Sequence, residues 1–142
     1  MGKDTKEKGK KEKGENLSKY LCARMEDTES FIYERGNGRQ LARLLISDVV
    51  PLEKNREFIV SVIYRYADYL KGAKGMEITN NKIVDVHLEK GIATLFDKRT
   101  GQVLAQLRYN PSISPMDTMA FISAVAADYE RYMRLIAKYY SG

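Results

Sequence analysis

Apolar and polar residues alternate along residues 82–109, a pattern typical of strands that bury one face. Two turn signals divide this region into three apolar stretches: Lys90-Gly91 and the five residues from Asp97 to Gly101. Short turns of this kind join antiparallel strands that lie next to each other. The region therefore predicts a three-stranded antiparallel meander.

Two other segments carry apolar residues at the spacing of amphipathic helices. The first covers residues 55–70, with Asn55 as a candidate N-cap and Gly72 just after the last apolar position. The second begins near Ser114-Pro115, an N-cap residue followed by proline at the first helical position, and runs to residue 140. The sequence therefore predicts one helix before the meander and a long helix after it.

The region before the first helix has a mixed pattern. Residues 17–35 fit either a helix or short strands, and Gly36-Asn37-Gly38 suits a helix end or a hairpin turn. A short amphipathic helix ending before Pro51 is predicted from the spacing of Leu41, Leu44, Leu45 and Val49. No internal repeat is evident. The predicted fold is one α+β domain over residues 17–142, with a three- to four-stranded antiparallel sheet packed by amphipathic helices.

Tight turns would fix the register of the meander and decide which side chains share a face. If Glu89 lies opposite Ile92 and Phe96 opposite Gln102, one face is nearly all apolar and should be covered by helices. That face carries Val84, Val86, Leu88, Ala93, Leu95, Val103, Ala105, Leu107 and Tyr109. The other face has polar edges and an apolar strip, and carries Asp85, His87, Glu89, Ile92, Thr94, Phe96, Gln102, Leu104, Gln106 and Arg108. Such a strip suits base stacking, or burial under a helix or a second subunit.

Composition narrows the class of protein. The chain has 142 residues, 44% of them hydrophobic, as expected for one globular domain. A single cysteine, Cys22, excludes an internal disulfide framework, and no apolar run approaches the roughly 18 residues of a membrane span. We therefore expect a soluble, cytoplasmic protein with no membrane association.

The net charge is +5, from 24 Lys and Arg against 19 Asp and Glu. Residues 1–16 combine six Lys with four acids and have no apolar residue after Met1, so they are predicted to form a disordered tail. Such a tail is either a solvating arm or a weak phosphate-contacting arm.

Signatures of catalysis and metal binding are missing from the sequence. His87 is the only histidine, and although Asp85 shares its predicted strand face, no nucleophile accompanies the pair. The chain has no G-x-S-x-G elbow, and Gly36-Asn37-Gly38 lacks the Lys-Ser/Thr of a phosphate loop. We therefore expect a protein that is not an enzyme, with no cofactor, metal or small-molecule substrate.

Aromatic residues are mostly tyrosine, with ten Tyr, four Phe and no Trp. Tyrosines on the apolar stripes are expected at the core margin, with the hydroxyl exposed. Four others lie off the stripes and are candidates for a surface role: Tyr64, Tyr69, Tyr132 and Tyr139.

The order of elements, from basic tail through helices and meander to a long C-terminal helix, resembles the small single-stranded DNA-binding proteins of hyperthermophilic archaea that lack an OB-fold. This resemblance is architectural, covers residues 17–142 and transfers no residue assignments. The leading hypothesis is a protein that binds single-stranded DNA or RNA with little sequence preference. Its candidate contacts are Phe96 for stacking and, for phosphates, Lys98, Arg99, Arg108, Arg39 and Arg43. Arg39 and Arg43 would lie on one face of the predicted helix. If they do not contact phosphates, that face is simply exposed to solvent.

The alternative hypothesis is an assembly module that forms a homodimer through the helix at 114–140. Apolar residues recur along this helix at near-heptad spacing, the pattern of a helix–helix seam. The candidate interface residues are Ile122, Tyr129, Met133, Ile136 and Tyr140.

Overall fold

The computed structural model describes residues 20–72 and 78–141, which form six strands and two helices. In chain order they are β1 (Leu21–Met25), β2 (Glu29–Glu34), β3 (Gln40–Leu45), α1 (Leu52–Leu70), β4 (Val84–Glu89), β5 (Ile92–Asp97), β6 (Val103–Arg108) and α2 (Pro115–Ser141). The strands form one antiparallel sheet in the order β1-β2-β3-β6-β5-β4. The predicted α+β class and long C-terminal helix are confirmed, but the sheet has six strands rather than three or four.

The chain consists of two βββα repeats. Each strand of the second repeat begins 63 residues after its counterpart, as Leu21 and Val84, Glu29 and Ile92, and Gln40 and Val103 show. The helices follow the same offset, since α1 begins at Leu52 and α2 at Pro115. Strands β3 and β6 pair antiparallel at the centre of the sheet, so an approximate two-fold axis passes between them.

The sequence itself carries this repeat. G-x-x-L-A-x-L occurs at residues 38–44 and 101–107, and F-I-x-x-V-x-x-x-Y-x-x-Y occurs at 58–69 and 121–132. The expectation of no internal repeat was therefore wrong. The repeat is hard to see in the sequence because the matching residues are mostly core positions, separated from each other by residues that differ.

Each repeat has a β-bulge at the same place. The register shifts between Ile32 and Tyr33 in the first repeat, and between Leu95 and Phe96 in the second. A bulge places two successive residues opposite one partner. The extra residues are Leu41 and Leu104, and both are buried beside the inward-facing alanine that follows them.

The second bulge changes the register that tight turns alone would give. Glu89 lies opposite Ile92 as predicted, but Phe96 lies opposite Val103, not Gln102. Leu104 is consequently 6% exposed on the helix side of the sheet, whereas Val103 is 48% exposed on the other side. The predicted faces of these two residues were therefore wrong.

Bulges also explain the wrong prediction for the first repeat. Residues 17–35 form strands β1 and β2, and the helix expected at 41–49 is strand β3 followed by a turn. Because Leu41 and Ala42 both face the helices, the apolar positions lose their strict alternation and imitate a helical spacing. The predicted tail at residues 1–16 lies outside the described residues.

Four tyrosines join the repeats across the core, and their hydroxyls repeat the same pattern. The Tyr66 hydroxyl donates to the carbonyl oxygens of Leu41, at 3.0 Å, and of Arg108. The Tyr129 hydroxyl donates to the equivalent pair, the carbonyl of Leu104 at 2.8 Å and that of Leu45 at 2.7 Å. Each ring thus binds one carbonyl of its own repeat and one of the other repeat. Burial raises the pKa of both hydroxyls, which keeps them protonated as donors.

Tyr69 and Tyr132 form the second pair, and both are buried rather than available at the surface as predicted. The Ser47 amide donates to the Tyr132 hydroxyl at 2.8 Å, and that hydroxyl donates to the Asn55 side chain at 2.5 Å. Asn55 is therefore a buried structural residue, and the expectation that it caps α1 was wrong, because α1 begins at Leu52 without a side-chain cap.

Helices α1 and α2 pack through matching aromatic stacks. Phe58 stacks on Tyr132 with ring centroids 4.2 Å apart, and Phe121 stacks on Tyr69 at 4.4 Å. Near the axis, the equivalent positions of the two helices hold opposite charges. The Arg65 guanidinium donates to both carboxylate oxygens of the buried Asp128, at 2.9 and 3.1 Å.

Candidate nucleic-acid interface

Both helices lie on one side of the sheet, and no element in the described part of the chain covers the other side. We call this second side the open face. Its side chains come from the strand positions that alternate with the core residues. They are Cys22, Arg24, Glu29, Phe31, Tyr33, Gln40, Arg43, Leu45, Asp85, His87, Glu89, Ile92, Thr94, Phe96, Val103, Gln106 and Arg108.

The open face carries three half-buried aromatic rings, from Phe31, Tyr33 and Phe96. None of the three belongs to the hydrophobic core formed by the described residues or to the partly buried set packed against it. The Arg24 guanidinium lies 4.9 Å from the centroid of the Phe31 ring, in the position of a cation–π contact. These rings therefore present apolar surface next to a cation on the outside of the molecule.

Arginine dominates the centre of this face and the end near Gln40. Arg43 lies in the middle of β3, between Phe31 and Gln106 in the register, with half of its side chain exposed. Its Nε donates to Glu29 at 2.9 Å, which fixes the guanidinium near the sheet surface. At the end of β6, the Arg108 Nε donates to the Gln40 carbonyl at 3.2 Å.

A shallow depression of about 140 Å³ lies beside Arg43. It lies next to the last β3–β6 pair, Leu44 and Ala105, and Leu45 and Val103 also line it. Glu29, Arg43 and Gln106 supply its polar rim. Carboxylate, guanidinium and amide groups of this kind can hydrogen-bond the edge of a base.

Charge is unevenly distributed over the open face. The strands of the first repeat contribute Arg24 and Arg43, and the β2–β3 turn adds Arg35 and Arg39 nearby. Strand β4, at the opposite edge, instead carries Asp85 and Glu89 on either side of His87, whose Nε2 lies 3.2 Å from Glu89. The β1–β3 side and the centre are therefore the more favourable surface for an anionic ligand.

The structure divides the six predicted nucleic-acid contacts among three places. Phe96, Arg43 and Arg108 lie on the open face. Arg39 lies in the β2–β3 turn near Arg108, and both line the same small cleft. Because β3 and β6 run antiparallel, the β5–β6 turn with Lys98 and Arg99 lies at the opposite end of the sheet. Arg39 and Arg43 do not share a helix face, since both lie in or beside a strand.

Lys98 and Arg99 differ in how available they are. The Arg99 Nε and Nη2 donate to the two oxygens of Asp97 at 3.1 and 3.0 Å. This guanidinium, hydrogen-bonded to the buried carboxylate, lowers the pKa of Asp97. Lys98 is exposed in the same turn, where its backbone amide donates to the carbonyl of Ile83 at 2.8 Å. Arg99 therefore has a structural role, and Lys98 is the better phosphate contact of the two.

Two aromatic rings and one arginine of the open face were not among the predicted contacts: Phe31, Tyr33 and Arg24. They lie in β1 and β2, the region whose sequence pattern fitted either helix or strand. Tyr33 could have been identified from the repeat, because the 63-residue offset places it at the same position as the predicted contact Phe96.

The five predicted interface residues also separate into two groups. Ile122 and Tyr129 are 0% and 1% exposed, so they belong to the core of one chain. Met133 and Ile136 are half-buried near the end of α2, and Tyr140 is 70% exposed. These three, together with Tyr129, line a groove of about 500 Å³ between α2 and the end of the sheet that holds the β5–β6 turn.

Neither a metal centre nor a membrane helix is found in the described segments. Within residues 20–72 and 78–141, no group of three His, Cys, Asp or Glu side chains is arranged to hold a metal ion. Neither helix there combines the length and apolar character needed to cross a membrane. Comparisons with protein-family models, curated proteins and solved structures find no match. The open face is therefore the main candidate site within the described residues.

Proposed function

We propose that this protein binds single-stranded nucleic acid on its open face and that it is not an enzyme. One observation carries the proposal: no element within residues 20–72 and 78–141 covers the second face of the six-stranded sheet, and that face combines aromatic rings with arginine side chains. Aromatic rings on a sheet surface stack on unpaired bases, while adjacent cations neutralise the phosphates.

Single strands fit this surface better than duplexes. In a duplex the faces of the bases are stacked on each other and are not available to Phe31, Tyr33 or Phe96. Stacking is tolerant of sequence because every base has an aromatic face. We therefore expect affinity for single-stranded DNA or RNA with little dependence on sequence.

Phosphates are expected to contact the arginines at the centre of the open face. Arg43 and Arg108 project from the two central strands, and Arg24 extends the same charge toward β1. The acidic side chains of β4 repel phosphate, so the bound strand should avoid that edge. Affinity should fall steeply with salt, because each neutralised phosphate releases counterions.

Fluorescence anisotropy with single-stranded and duplex oligonucleotides over a salt series tests the proposal. The variant Arg43→Gln/Arg108→Gln removes two cations from the open face, and glutamine at position 43 matches Gln106 of the other repeat. We expect weaker single-strand binding and a log–log salt slope reduced in magnitude by about 1.4, since each single-strand phosphate contact contributes about 0.7.

The matched control is Arg56→Gln/Arg134→Gln, which removes two exposed cations from the helix side. It should bind as the unaltered protein does. Equal losses in the two double variants would show that binding follows net charge and not the open face. The absence of any binding at low salt would overturn the proposal.

A second candidate function, assembly into a homodimer, is favoured by the end of α2. This helix has 27 residues against 19 in α1, and its extra length carries Ile136 and Tyr140 beyond the part that α1 matches. Sedimentation equilibrium tests it: Ile136→Asp should lower the oligomeric state, and a monomeric unaltered protein would exclude this role. Both functions are compatible in one molecule.

A further inference from the structure

We infer that a single nucleic-acid strand crosses the open face between two equivalent stacking positions, Tyr33 and Phe96. The inference rests on the proposed function and specifies how the strand is held. It follows from three features: the two-fold relation between the repeats, the aromatic ring that both repeats carry at this position, and the surface that lies between the two rings.

Tyr33 and Phe96 occupy the same place in their repeats. Each is the first residue after the register shift, opposite the first residue of the next strand, Gln40 or Val103. Because the bulge sets the local twist and direction of the strand, it orients both rings in the same way relative to the sheet. The two-fold axis then places them at opposite ends of the open face.

These two positions differ from the other paired positions of the open face. Phe31 corresponds to Thr94, Arg43 to Gln106 and Glu29 to Ile92. At Tyr33 and Phe96, by contrast, both repeats carry an aromatic ring. Core packing does not account for this, since neither ring belongs to the core formed by the described residues. Two half-buried aromatic rings at equivalent positions of the open face are suited to the same task, the stacking of a base.

The distance between the rings matches a short oligonucleotide. Tyr33 on β2 and Phe96 on β5 are three strand spacings apart across the sheet, roughly 14 Å. Along the strands they are offset by about six residues, or roughly 20 Å, so that the diagonal is roughly 25 Å. Folds that bind single strands cover about 4–16 nucleotides, which includes the length needed to reach both rings.

The diagonal between the rings passes over the centre of the open face, where Arg43 and Gln106 lie side by side on the central strands. The depression next to them lies on the same path. A strand stacked at both ends would therefore carry its phosphates past Arg43 and set a base near the polar rim of the depression. Asp85 of the acidic edge lies opposite Phe96 in the register, so the phosphates of the strand should point away from β4 where a base stacks on this ring.

The test uses Tyr33→Leu, Phe96→Leu and the double variant in the full chain, with oligothymidylates of about 3 and about 15 nucleotides. Leucine preserves apolar bulk and removes the aromatic face, so the variants should remain folded. On the long oligonucleotide, each single variant should raise Kd by roughly 5- to 150-fold, the range for loss of one stacked base. The double variant should lose more than either single variant.

Length dependence distinguishes one strand on two rings from two separate sites. A short oligonucleotide reaches one ring, so the gain in affinity from short to long should be large in the unaltered protein and small in either single variant. Tyr33→Phe should bind like the unaltered protein, because it keeps the ring. The control Tyr64→Leu removes an exposed tyrosine from α1 on the helix side and should change nothing.

Two results would overturn the inference while leaving the proposed function intact: loss of binding in one single variant but not in the other, or the same loss on short and long oligonucleotides. If the unaltered protein binds no oligonucleotide at low salt, the proposed function itself fails. Circular dichroism melting of each variant verifies that any loss of binding comes from a folded protein.

Discussion

The two repeats carry the same residues at the buried positions of their central strands and different residues on the open face. At the inward positions of the central strands, Leu41, Ala42 and Leu44 recur as Leu104, Ala105 and Leu107. On the open face, arginine, phenylalanine and glutamate of the first repeat are replaced by glutamine, threonine and isoleucine in the second: Arg43 and Gln106, Phe31 and Thr94, Glu29 and Ile92.

This difference follows from the geometry of a two-fold arrangement. The helices and the inner face must interlock in both halves, and dense packing tolerates few changes of volume. A solvent-facing position is not constrained by packing, so its residue type can be set by the ligand that the surface binds. The comparison therefore separates residues that hold the fold from those that give the two halves of the open face their different charges.

The largest effect on stability is expected when either stacked phenylalanine is replaced by alanine. Phe121→Ala and Phe58→Ala should each lower the free energy of unfolding by about 3–5 kcal/mol, the range for truncation of a buried phenylalanine. Because both rings stack on a tyrosine of the other helix, we expect losses of similar size. Chemical denaturation measures them. A loss at one site several times that at the other would contradict the equivalence of the two cores.

Smaller effects are expected from the bridging hydroxyls. Tyr66→Phe and Tyr129→Phe each remove a hydroxyl that bridges two carbonyls, one in each repeat, which should cost about 1–3 kcal/mol. Urea denaturation measures both variants. Clearly unequal losses in the free energy of unfolding would show that the two hydroxyls do not contribute equally to stability.

The hairpin turns offer a milder comparison. Gly38 and Gly101 end equivalent turns with φ of +71° and +79°, where a side chain would be strained although nothing lies within 4 Å of an added Cβ. Alanine at either position should cost about 1–2 kcal/mol. Gly36→Ala, in the same turn as Gly38 but without a positive φ, is the control and should be nearly neutral. Thermal melting measures all three.

Acid should affect the second turn through Asp97. Its ion pair with Arg99 has no counterpart in the first repeat, where Gly36 takes the place of the arginine. Arg99 lowers the pKa of Asp97, so the pair stabilises the fold above about pH 4 and is lost as the pH falls through the lowered folded-state value. The stability difference between the unaltered protein and Asp97→Asn should shrink with acid. A difference that is constant with pH would contradict this assignment.

Sequence patterns identified the second repeat better than the first. Strand β4 has unbroken alternation and a tight turn to β5, so the Glu89–Ile92 pairing followed directly. In β3 the bulge at Leu41 removed that alternation, and a helix was predicted. Comparison of the two G-x-x-L-A-x-L segments corrects the error, because the second segment lies in the clearly alternating region.

The candidate site was likewise predicted only where the strands had been recognised from the sequence. Arg43 and Phe96 were identified from residue type and lie on the open face. Tyr33 was missed because its segment had no assigned structure, so its face was unknown. Only the sheet order, which joins β3 to β6, shows that residues of both repeats share one surface.

The Arg65–Asp128 pair has a consequence for how copies of this chain recognise themselves. The two residues occupy the same position of their repeats and meet across the axis. If two chains exchanged halves so that like repeats paired, arginine would face arginine and aspartate would face aspartate, and both contacts would be repulsive. Opposite charges at one duplicated position therefore disfavour the pairing of like repeats from two chains, whereas a first repeat paired with a second repeat, from the same chain or from another, keeps the Arg65–Asp128 contact.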